Sequence, residues 1–154
     1  MPHLIIEHSA NVTDTTDLAN LVDTLHGAAL SSGVAPLDAL RTRTAERTHY
    51  AIADRHPDNA FIAVTIRLGE GRTAEQKRDL VELLMDALGH AVGEAQRNMM
   101  LSVECQEIES EFRINKNNLR QVIAERTATT RPHHLTVLPE DIATSTRRRE
   151  NHVR

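Results

Sequence analysis

The chain has 154 residues, with 18 Lys and Arg against 22 Asp and Glu, and is 40% hydrophobic but only 2% aromatic. That length is one domain's worth, and the composition is that of an ordinary globular protein. Three aromatic residues (Tyr50, Phe61 and Phe112) are too few for a base-stacking nucleic-acid platform, and no apolar run approaches the roughly 18 residues of a membrane span. The single cysteine, Cys105, cannot form an intrachain disulfide, which points to a reducing, cytoplasmic setting. The first apolar run, Leu4-Ile5-Ile6, gives way at once to Glu7 and His8, so no signal peptide is expected.

In chain order, Pro2 to His8 is short, apolar and partly β-branched, and reads as a strand. Asn11 to Thr16 is turn and cap material. Leu18, Leu21, Val22, Leu25 and Ala29 then recur at helical spacing, and Gly33 stands where a helix C-terminus favours glycine. Leu37 to Thr44 follows Pro36 as a second strand, in which Arg41 and Arg43 share a face. Asp54-Arg55-His56-Pro57-Asp58 is a polar connection. Phe61 to Leu68 is the clearest strand, broken by Gly69-Glu70-Gly71. Thr73 and Gln76 form a capping box that opens a helix along Leu80, Val81, Leu84, Leu88 and Ala91 and closes near Gly93. Met99 to Ile108 alternates as a fourth strand.

Strand-helix-strand, read twice, predicts an α/β (α+β) two-layer sandwich: a four-stranded sheet with two helices on one face. Ile62, Val64, Ile66, Leu101 and Val103 are more apolar than a solvated sheet face requires, so the second face is expected to be covered by other subunits of a homo-oligomer. Residues 127–154 hold five Arg, three acidic residues, six Thr and few apolar side chains. The expectation is a folded domain over 1–126 and a disordered tail over 127–154. Within that tail, Arg147-Arg148-Arg149 beside Glu150 reads as solvated charge. His133-His134 has no Cys or carboxylate at ligand spacing and reads as no metal site.

The residue with the most distinctive chemistry is Pro2. Removal of Met1, which a small second residue permits, would expose a secondary amine on a locked ring. An ordinary α-amino group titrates near roughly 8; desolvation and nearby guanidinium groups both disfavour the ammonium form. A lowering of about two units makes such an amine a general base at neutral pH. Arg41 and Arg43 on a strand, and Arg72 at the mouth of a helix, supply cations that bind carboxylates through paired hydrogen bonds. The plainer alternatives are an ordinary Pro2 amide and arginines in surface ion pairs. His3 and His8 read as structural, and Cys105 as a core thiol.

Several runs together resemble a known family. They are the initial Met1-Pro2-His3, then Gly33-Val34-Ala35-Pro36-Leu37 leading into Leu40-Arg41-Thr42-Arg43, Asn59-Ala60-Phe61, Leu68-Gly69-Glu70-Gly71-Arg72, and Phe112-Arg113-Ile114-Asn115-Lys116-Asn117-Asn118. In order and spacing over about residues 2–125 they are similar to the 5-carboxymethyl-2-hydroxymuconate delta-isomerases of homoprotocatechuate catabolism, within the tautomerase superfamily. The resemblance implies a homotrimer of tandem β-α-β units without cofactor or metal. It matches Pro2 to a catalytic amino-terminal proline and Arg41 and Arg72 to active-site arginines, with Arg43 a further substrate-binding candidate. The substrate implied is a small di- or tricarboxylate. Unlike the family, the stretch Ala45 to Tyr50 contains no tryptophan, so the apolar wall of the pocket is expected to differ. Two other readings remain beside it: a tautomerase-superfamily enzyme for another unsaturated acid, and a catalytically silent trimeric binding or scaffold protein.

Overall fold

The computed structural model describes residues 2–129. They form β1 (His3–Ser9), α1 (Leu18–Ser31), β2 (Arg41–Arg47), β3 (Ala60–Gly69), α2 (Ala74–Val92), β4 (Met99–Ile108) and α3 (Leu119–Thr129). The sheet order is β2-β1-β3-β4. Strand β1 runs parallel to β2 and β3 parallel to β4, each pair spanned by one crossover helix, while β1 and β3 meet antiparallel at the centre. This is the expected duplicated β-α-β unit.

One core lies between sheet and helices. Leu4 and Ile6 of β1 and Ile62, Val64 and Ile66 of β3 meet Leu21 and Leu25 of α1 and Leu80, Leu84 and Leu88 of α2. Helix α1 starts where Asp17 Oδ1 accepts the Ala19 and Asn20 N–H groups at 2.9 and 3.1 Å, satisfying donors that no helical carbonyl can reach. Helix α2 starts with the expected capping box: Gln76 N–H donates to Thr73 Oγ1 at 3.1 Å and Thr73 N–H to Gln76 Oε1 at 2.9 Å. Gly33 takes φ +71° just after α1, a conformation that costs a residue with Cβ more than glycine.

Three expectations need correction. Ile62, Val64, Ile66, Leu101 and Val103 do not form a second apolar face; with a period of two they all turn toward the helix side. The opposite face presents His3, Ile5 and Glu7 of β1, Phe61, Ala63, Thr65 and Arg67 of β3, and Met100, Ser102, Glu104 and Gln106 of β4. The second strand begins at Arg41, not Leu37, because the Ala39 and Leu40 N–H groups turn back onto Pro36 O at 3.0 and 3.1 Å. It continues through Glu46 and Arg47 because an edge strand tolerates charge and Arg47 pairs with Glu7 across β1 at 2.9 Å. Helix α3 had no counterpart among the expected elements and runs to Thr129, three residues past the expected end of the folded part. The rest of the tail, with His133-His134 and Arg147-Arg148-Arg149, lies outside the described residues. Among the described residues no helix is long and apolar enough to cross a membrane.

Candidate active site

Pro2 is buried at the entrance to β1, a central strand. Its carbonyl accepts the Arg41 N–H at 3.2 Å, which locks the start of β1 to the start of β2. His3 pairs with Arg41 on one side and with Arg67 on the other. One step further in each register lie Leu40 and Leu68, both buried. The Pro2 ring therefore enters the sheet between two buried leucines, and burial of this kind disfavours a charged amine.

Arginines gather at this end. Arg41 and Arg43 project together on the open face of β2, as their alternation requires. Arg43 Nη1 donates to His3 Nδ1 at 3.3 Å. The imidazole is held below its ordinary value, first by burial and then by the charges of Arg41, Arg43 and Arg67. An imidazole that accepts from a guanidinium is neutral. Arg72 leaves the chain just before the Thr73 cap and is anchored on two carbonyls: Nη1 donates to Gly69 O at 2.9 Å and Nη2 to Val34 O at 3.1 Å. Its fork thus ties the end of β3 to the loop after α1 while keeping other N–H groups for a ligand.

The geometry adds Arg113, to which the run from Phe112 to Asn118 gives no role by itself. A Cβ built on Gly69 would fall 2.6, 2.7 and 2.8 Å from Arg113 Nη1, Cζ and Nη2. Three nearly equal distances mean that the guanidinium lies flat against the Gly69 backbone. The segment after β4 is fastened there by Glu70 Oε1, which accepts the Ser110 N–H at 3.2 Å and also the Ser110 hydroxyl. These two hydrogen bonds, with the charge of Arg113, hold the Glu70 carboxyl below its ordinary range. Further on, Asn117 Nδ2 donates to Asp38 O at 2.7 Å and Arg120 Nε to the Asp38 carboxylate. The segment therefore runs from the end of β4, past the end of β3, to the turn before β2. Only the start of β1, with Pro2, lies between those anchor strands. The available signal was Gly69: a strand-terminal glycine at ordinary φ is a place where something approaches the backbone closely.

The remaining candidates stand apart. His8 is buried with Nδ1 3.0 Å from Ser9 O. Burial raises the Cys105 thiol above its ordinary value, which makes it a poor nucleophile. A cavity of about 410 Å³ between α2 and β4 is lined by Lys77, Arg78, Val81, Glu82, Cys105 and Glu107, and its Lys77–Glu107 pair is closed at 3.1 Å. Among the described residues no group of three or more His, Cys, Asp or Glu side chains could hold a metal ion.

Residues 2–123 match the family model for 5-carboxymethyl-2-hydroxymuconate isomerase. The chain belongs to the 5-carboxymethyl-2-hydroxymuconate isomerase family. It is 28% identical over 121 residues to 5-carboxymethyl-2-hydroxymuconate Delta-isomerase of Escherichia coli, an alignment covering 77% of this chain and 96% of that protein. It is also similar to the crystal structure of a 5-carboxymethyl-2-hydroxymuconate isomerase from Deinococcus radiodurans R1, with TM-score 0.71, 30% identity, and coverage of 79% of this chain and 93% of that one. A fused 4-OT described as a symmetric trimer shares the fold at TM-score 0.57 and 21% identity, over 75% of this chain and 92% of that one. The family match runs from Pro2 through Arg72 and Arg113 and ends inside α3. Both β-α-β units and the fastened segment thus fall within it.

Proposed function

We propose that this chain is a cofactor-independent isomerase acting on 5-carboxymethyl-2-hydroxymuconate or a close dienol acid in aromatic catabolism, and that it works as a homotrimer. The observation that carries this reading is Pro2, buried at the head of a central strand and flanked by arginines, in a chain of the isomerase family. Once Met1 is removed, the neutral Pro2 nitrogen accepts the proton of the substrate's 2-hydroxyl group. The electron pair moves along the diene, the oxygen becomes the 2-oxo group, and the ammonium returns the proton to carbon five. One proton leaves and one returns, so no oxidant, reductant or metal is needed.

Arg41 and Arg72 are assigned the substrate carboxylates and the spreading dienolate charge, with Arg43 beside them. Stabilisation of charge that develops as the proton leaves is the largest contribution such groups make. Two features support Pro2 as the base: its neighbours in the strand register, Leu40 and Leu68, are buried, and Arg41, Arg43 and Arg67 surround the adjacent His3. Each unit by which its pKa falls corresponds to about 1.4 kcal/mol.

The test joins intact mass to turnover. The protein should lack Met1 and convert the dienol to its conjugated ketone, followed by ultraviolet absorbance, and chemical blocking of the amine should abolish conversion. A retained methionine with undiminished turnover overturns the role of Pro2. Comparable rates over a panel of unrelated dienol acids would remove the substrate assignment and leave the chemistry.

A further inference from the structure

The proposed substrate carries three carboxylates, whereas Arg41 and Arg72 account for two. Arg43 already has a partner, donating to His3 Nδ1. Arg113 has no hydrogen bond or closed ion pair to a side chain among the described residues, although its charge is felt at Glu70. It is nevertheless fixed, flat on Gly69 and half-buried. The acid whose carboxyl feels that charge, Glu70, spends its hydrogen bonds on Ser110. A positioned guanidinium, on the same residue whose carbonyl anchors Arg72, offers the paired donors that a carboxylate accepts. Its distance from Pro2 follows from the register: Gly69 lies one residue beyond Leu68, the antiparallel neighbour of Pro2. Neighbouring strands are about 5 Å apart and successive residues about 3.3 Å, so the guanidinium stands on the order of a small-molecule length from the Pro2 ring.

We propose that Arg113 is a specificity-determining residue that binds the third carboxylate, on the carboxymethyl branch, and that Gly69 lacks a side chain so that the guanidinium can lie there. This rests on the substrate class proposed above. The residue separates a branched triacid from a linear diacid, because only the triacid has a charge left over once Arg41 and Arg72 are occupied.

The geometry supplies two independent ways to remove the contact. Arg113→Ala deletes the guanidinium. Gly69→Ala leaves it in the chain but places a methyl group where it sits, and the displaced atoms are the far end of a flexible side chain, so the fold should survive. Calorimetric binding of two unreactive acids, tricarballylate and glutarate, reads the contact without turnover. Wild type should prefer tricarballylate. Each variant should weaken tricarballylate by about tenfold or more, leave glutarate within about twofold, and keep its melting temperature, while Arg113→Lys recovers part of the loss. With the dienol triacid the same variants should raise KM far more than they lower kcat. No preference in the wild type, equal weakening of both acids, or no weakening by either variant overturns the assignment. A wild type that discriminates the two acids but leaves the dienol unchanged upholds Arg113 and rejects the proposed reaction instead.

Discussion

The two β-α-β units are related by the antiparallel contact of β1 with β3, so their strands start at opposite ends of the sheet. The contrast between those ends is chemical. At the start of β1 stands Pro2, whose nitrogen becomes an amine if Met1 is removed, among Arg41, Arg43, Arg67, Arg72 and Arg113. At the start of β3 the counterpart is Asn59, a mid-chain residue whose backbone nitrogen is an amide that donates to His56 O at 3.0 Å. Its side-chain Nδ2 donates to Ile52 O at 3.2 Å and Asp54 Oδ1 at 2.7 Å, and its carbonyl accepts Asn11 Nδ2 at 2.9 Å. There the neighbours are Asp14, Asp58 and Glu94, with Arg97 as counter-charge. One end is tied together by internal hydrogen bonds around Asn59, with the buried Asn11 Oδ1 left over; the other leaves donors facing outward. On the function proposed above, the duplicated fold does its chemistry at the Pro2 end, where removal of Met1 would supply a basic nitrogen that the Asn59 amide does not offer.

Substitutions at the two ends should part activity from stability. The largest effect is expected from Pro2→Ala, which keeps a terminal amine but loses the locked ring. Turnover should fall about 10³-fold, as for loss of a general base, while oligomeric state and melting temperature hold. Near-normal turnover would make the ring irrelevant and erase the contrast. Arg72→Ala comes next, with kcat/KM lower by about 10². It should also cost some thermal stability, since Gly69 O and Val34 O lose a shared donor. Unchanged kinetics with lowered stability would reduce Arg72 to a brace. Asn59→Ala should do the converse: about 1–2 kcal/mol of unfolding free energy lost with its hydrogen bonds, and kinetics close to wild type. Lost activity in that variant, without unfolding, would show the Asn59 end to be functional too.

Much of this contrast was legible in the residues. The core followed from periodicity, since Leu80, Leu84 and Leu88 or Ile62, Val64 and Ile66 repeat at the spacing of their elements, and the Thr73–Gln76 cap is a local signal. Faces were harder to read. Alternation showed that Ile62 and Val103 share a side, but not which side the helices cover; that depends on the handedness of the crossovers. The start of β2 was misplaced because a turn held by Pro36 O looks, in sequence, like the alternating beginning of a strand. Helix α3 escaped because no residue in it is buried, so it carries no amphipathic stripe to read. Arg113 left only an indirect sign in the sequence, the glycine at 69, since its position depends on a contact that spans forty-four residues across α2 and β4.

The smallest effect uses His3 as a reporter of the field at the proline end. Its pKa is lowered from 6.5 by burial and by Arg41, Arg43 and Arg67. The folded-state value therefore lies below the unfolded one. Above pH 6.5 both states are neutral and His3 leaves stability unchanged; as pH falls through that value the unfolded chain takes up the proton first and stability declines. The imidazole is partly solvated, so the decline should be shallow. A proton NMR titration should place the His3 midpoint below 6.5, and Arg67→Ala should move it upward by removing a charge without touching the Arg43 hydrogen bond. A midpoint at or above 6.5, or one indifferent to Arg67, would mean that solvent screens these guanidinium groups at His3. The same screening would then reach the neighbouring Pro2, leaving its burial beside Leu40 and Leu68 as the remaining support for a neutral amine there. Because the two contributions respond differently to salt, repeating the titration at high ionic strength separates them: the arginine part should collapse toward 6.5 while the burial part remains.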